Sequence, residues 1–76
     1  NFDIKPNPFD HQLVISLNGI HEEVEIFIYD LSGKIHFQTS AGTGEHLLDL
    51  AFLKSGSYIL KIQNERSFMT QKIIKL

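Results

Sequence analysis

The chain has 76 residues, 42% hydrophobic and 21% charged, ordinary usage for a folded domain and too apolar for intrinsic disorder. At this length folding removes only about 60 to 65% of the unfolded surface from water, so the core must be thin. A net charge of -2 argues against nucleic-acid binding, and the absence of cysteine excludes disulfides, thiolate metal sites and a cysteine nucleophile.

The start, Asn1, Phe2, Asp3, Ile4, has neither a basic nor an apolar leader segment, and no stretch approaches the length of a membrane-spanning helix. With no initiator Met, residues 1–76 read as one domain excised from a longer chain whose targeting signal lies elsewhere.

The dominant period is two, which predicts an all-β sandwich with strands near residues 2–5, 12–17, 24–29, 34–39, 46–50, 57–63 and 68–75. After the first strand, Pro6, Asn7 and Pro8 fix two φ angles and remove two N–H donors, so the chain must turn or change sheets. Asn18 and Gly19 signal a turn, either a tight hairpin or a longer loop through residues 20–23.

At Asp30, Leu31, Ser32, Gly33 and Lys34, a type I turn followed by a left-handed glycine predicts a hairpin with Asp30 facing Lys34. Its register sets Tyr29 opposite Ile35 and Phe27 opposite Phe37 on one face, with Ile26 and Ile28 on the other. A strand apolar on both faces is central. Residues 41–45, with two glycines and nothing apolar larger than alanine, predict a flexible surface loop. Lys54, Ser55 and Gly56 turn the chain into a strand whose Tyr58, Leu60 and Ile62 share a face, and residues 64–67 close the last hairpin.

His11, His21, His36 and His46 show no metal-ligand spacing and read as solvated surface histidines, with His21 and His46 at strand edges or loops and only His36, inside a strand, partly buried. The acidic residues are scattered singly, and a chain this small has little room for a pocket of several hundred cubic ångströms. No serine lies in a nucleophile elbow and no glycine-rich loop precedes a helix, so no catalytic, cofactor or metal residue is assigned.

Taken in order, the segments carry a family resemblance: Pro6, Asn7, Pro8 with Phe9; the alternation of Leu13, Ile15 and Leu17; Tyr29, Asp30, Leu31, Ser32, Gly33, Lys34; Leu53, Gly56 and Tyr58; and the ending Lys72, Ile73, Ile74, Lys75. The chain resembles the type A C-terminal sorting domain of the Bacteroidota type IX secretion system over nearly its whole length. Lys5 and His36 depart from the usual pattern, standing where apolar residues are common.

The resemblance implies a small Ig-like antiparallel β-sandwich of about seven strands. It acts as a secretion signal, with sorting residues Pro6, Asn7, Pro8, Asp30, Gly33, Lys34, Gly56, Tyr58, Lys72, Ile73, Ile74 and Lys75. Its implied partners are the outer-membrane secretion machinery, a cell-surface sortase and an N-terminal cargo domain; the domain itself is a monomer. The last strand, with Lys72 and Lys75 guarding an exposed edge, is a site where a partner could add a strand. The alternative is a carbohydrate-binding or adhesive module, which requires Phe27, Tyr29 and Phe37 exposed in one row.

Overall fold

The computed structural model describes residues 2–19 and 22–76, which form seven strands and no helix. These are β1 (Phe2–Lys5), β2 (Gln12–Leu17), β3 (Val24–Asp30), β4 (Ile35–Ala41), β5 (Gly44–Asp49), β6 (Gly56–Gln63) and β7 (Phe68–Lys75). They make two antiparallel sheets, ordered β1-β2-β5 and β4-β3-β6-β7. This is the all-β sandwich the alternation predicts.

Between the sheets lie Leu13, Ile15 and Leu17 of β2, Val24, Ile26 and Ile28 of β3, Leu60 and Ile62 of β6 and Ile73 of β7, all essentially inaccessible. Each such side chain is worth roughly 1.5–3 kcal/mol over its exposed state, so every second residue of these strands fixes the register. β3 lies between β4 and β6, as its two apolar faces require. Because β2 and β3 belong to different sheets, Asn18 and Gly19 begin a long connection rather than a tight hairpin. Ile20 and His21, with any role for that histidine, lie outside the described residues.

Three local expectations are corrected. The β3–β4 register shifts between Ile28 and Tyr29, so Tyr29 faces Ile35 as expected but Ile28, not Phe27, faces Phe37. His36 is the extra residue, and a β-bulge reverses which face each later residue of β4 presents. The predicted loop over residues 41–45 shrinks to Gly42 and Thr43. Ala41 is buried opposite Val24, Gly44 pairs with Leu17, and Thr43 Oγ1 donates to the Leu17 carbonyl at 2.9 Å. Leu50 leaves the strand but stays buried, its N–H donating to the His11 carbonyl at 2.8 Å.

Candidate recognition surface

The β3–β4 hairpin is built around one carboxylate. Asp30 Oδ1 accepts from the Ser32 N–H at 2.9 Å, the Ser32 hydroxyl at 2.6 Å and the Lys34 N–H at 3.1 Å, while Oδ2 lies 2.8 Å from His36 Nε2. Gly33, at φ 91°, takes the left-handed position and donates its N–H to the Asp30 carbonyl at 3.0 Å. The Ser32 hydroxyl and then His36, joined by the backbone N–H groups of Lys34 and Ser32, hold the Asp30 carboxyl far below the usual carboxylate range; partial desolvation opposes them. Ser32 and His36 both bind the acid and the serine proton points at it, so no base faces the hydroxyl. The cluster rigidifies a turn and does not activate a nucleophile.

The bulge turns His36 inward, where its ring meets Tyr58 edge-on at 5.6 Å and 83°. Tyr58 pairs with Asp30 across β3 and β6, is buried, and donates its hydroxyl to the Lys54 carbonyl at 2.7 Å. Gly56, at φ 148°, opens β6 just after this contact. Between the hairpin and residues 52–57 lies a solvent-open depression of about 490 Å³, lined by Asp30, Lys34, His36, Lys54, Gly56 and Tyr58 among others. The short chain led us to expect little room for such a volume; the depression finds it outside the sandwich, between two protruding connections.

The last strand departs most from expectation. Asn7 Nδ2 donates to the Lys72 carbonyl at 3.0 Å, and Asn7 Oδ1 accepts from the Ile74 N–H at 3.1 Å. Phe9, fully buried, forms a parallel bridge with Lys75, donating its N–H to the Ile74 carbonyl and accepting from the Leu76 N–H, each at 2.9 Å. The prolines, lacking N–H donors, keep this strap from pairing as a regular strand, and the Asn7 side chain supplies the amide hydrogen bonds a strand would make. The far half of the β7 edge is therefore already occupied. Nor do the two lysines share a role: Lys72 is exposed on the outer face, whereas Lys75 is 7% exposed on the core side and donates to the Leu76 carbonyl at 3.1 Å. An odd spacing in a strand puts them on opposite faces.

Topology thus gathers the residues that the family resemblance singled out at one end of the molecule. Asp30 pairs with Tyr58, Tyr58 with Ile73 and Gly56 with Lys75, while Asn7 clips Ile74; Gly33 and Lys34 cap the row and Pro6 and Pro8 flank the clip. This end also carries Lys34, Lys54, Lys72 and Lys75 against Asp10, Asp30 and Asp49, while Lys5 pairs with Asp3 along β1 at 3.6 Å. The opposite end carries Glu22, Glu23, Glu25, Glu45 and Glu65 against Arg66, with Lys61 nearby on β6. Individual acidic spacing concealed this polarity; only strand direction reveals it.

Among the described residues no group of three or more His, Asp or Glu side chains is placed to hold a metal. His11 is exposed beside Asp10 at 3.7 Å, whereas His46, on the edge strand β5, is not the solvated histidine expected. It lies within β5 opposite Ile15, half-buried, with Nε2 2.7 Å from the Gly42 carbonyl. The aromatic row is broken as well. Phe27 and Tyr29 stack at 5.9 Å on the outer face, whereas Phe37 packs against the core and beside Phe52 at 6.3 Å.

The model of the secretion system C-terminal sorting domain family matches residues 3–76. The chain belongs to that family, the C-terminal sorting domains of the type IX secretion system. Comparison with curated proteins returned no match. Membership implies interaction with the secretion machinery, a cargo in the same chain, and export across the outer membrane to the cell surface or medium. It is a family of secretion signals and not of enzymes.

Proposed function

We propose that residues 1–76 are the C-terminal sorting domain of a larger secreted protein. The outer-membrane machinery recognises the end where Asn7, Asp30, Gly33, Lys34, Gly56, Tyr58 and Lys72 meet, and a cell-surface sortase then removes the domain, leaving the cargo released or surface-attached. The family match over residues 3–76 carries this reading. It gains support from the convergence of chain-distant motif segments on one end, where a partner can contact them together. Lys75, Ile73 and Tyr58, being buried, support that surface from beneath.

The carbohydrate-binding alternative loses its aromatic row, because Phe37 lies on the other face from Phe27 and Tyr29. The proposal is tested by linking the chain to the C-terminus of a reporter bearing an inner-membrane export signal, in a host with the matching secretion system. Reporter outside the cell, shortened by the mass of the domain, is expected. Retention in the periplasm overturns the sorting role; external product still carrying the domain overturns its removal.

A further inference from the structure

Resting on that reading, we infer that the depression between the Asp30–Lys34 turn and residues 52–57 receives an acidic, partly apolar segment of a partner protein. The distribution of unpaired charge points to this chemistry. Lys34 and Lys54 stand exposed on opposite walls of the depression, and neither makes an ion pair among the described residues. The one carboxylate on the floor, Asp30, keeps its charge but offsets only one of the two ammonium groups, and its oxygens are already engaged by Ser32, the Lys34 N–H and His36. The molecule's surplus of carboxylates sits at the far end of the sandwich. Two ammonium groups therefore face open solvent across a concave surface, and a partner's carboxylates are the complement.

The same geometry argues against a phosphate or lipid headgroup. Phosphate sites are built from converging backbone N–H groups or arginine forks, and the turn's N–H groups already point at Asp30. No arginine lines the depression. The lining does include one exposed apolar ring, Phe52, 61% exposed and set beside Phe37. Lysines that need no fixed fork geometry, beside an exposed aromatic ring, suit glutamate or aspartate alternating with apolar residues.

The test titrates the isotope-labelled 76-residue chain with a short peptide of alternating glutamate and leucine, and separately with inorganic phosphate and phosphatidylglycerol vesicles. The peptide is expected to shift the backbone amides of Lys34, Lys54, Ser55 and Gly56 saturably, and to weaken as salt rises toward about 0.5 M, where screening shortens to a few ångströms. Lys34→Glu with Lys54→Glu should reduce affinity by about tenfold or more without moving the unfolding midpoint, because neither side chain holds the fold; about tenfold corresponds to losing one good charge contact. Peptide shifts centred on Phe27 and Tyr29, or tighter binding of phosphate or vesicles, overturn the inference. In the export assay, the double variant should stay periplasmic while the unaltered fusion is exported. Equal export of both sinks the inference alone, and failure of the unaltered fusion sinks the sorting reading beneath it.

Discussion

Asp30 accepts hydrogen bonds from Ser32, from the Lys34 backbone and from His36, which makes its charged form part of the folded state. Because its carboxyl is held below the usual range, its contribution to stability is complete above the unfolded carboxylate value of about 4 and is lost as pH falls further. Urea midpoints measured from neutral pH down to about pH 2 should decline more steeply for the native chain than for Asp30→Asn. Parallel curves would show that this carboxylate is not linked to folding. At Gly33 an added Cβ meets nothing, so any penalty is purely backbone. Gly33→Val should cost about 1–2 kcal/mol or more, a β-branched residue at φ 91° being strained, and should exceed Ser32→Ala, which removes one exposed hydroxyl contact. Equal denaturation midpoints would contradict the turn geometry. The turn was legible from Asp30, Ser32 and Gly33 because each residue type has its own local reason to be there. The pairing of Asp30 with His36 was not, since it depends on a bulge that no local propensity announces.

Among the elements, β7 separates what alternation can reveal from what it cannot. Its strand limits and final hairpin follow from period two and from Asn64, whose side-chain oxygen accepts from the Arg66 and Ser67 N–H groups at 2.9 Å. The opposite orientations of Lys72 and Lys75 follow from the same period, and reading the two as a pair overlooked it. The strap of Pro6, Asn7, Pro8 and Phe9 was legible as a break in the strand, but its seat on the β7 edge lies 65 residues away in sequence. Lys72→Glu should therefore change stability by no more than about 0.5 kcal/mol, whereas Lys75→Glu places an uncompensated carboxylate against the core and should cost about 2 kcal/mol or more. Equal thermal midpoints would contradict the burial of Lys75. Asn7→Ala removes both clip hydrogen bonds at a net cost of about 1–2 kcal/mol, and hydrogen exchange at the Ile74 amide should quicken selectively. Unchanged protection there would mean that the strap does not guard the edge.

For the molecule as a whole, the sandwich class was readable because apolar residues alternate in short runs set apart by turn residues, and the core list is largely those alternating positions. Which residues share an end depends on strand order, and so the cationic end and its depression emerge only from the assembled sheets. The account's central claim is that this chain suffices to carry a cargo across the outer membrane. The most direct measurement is fractionation of cells expressing an exported reporter with and without residues 1–76 at its C-terminus, in a host with the secretion system and in a matched strain lacking its outer-membrane pore. The account predicts reporter at the surface or in the medium only when both the chain and the pore are present. Periplasmic reporter in the competent host, under conditions where an established sorting domain delivers the same reporter outside, would contradict it.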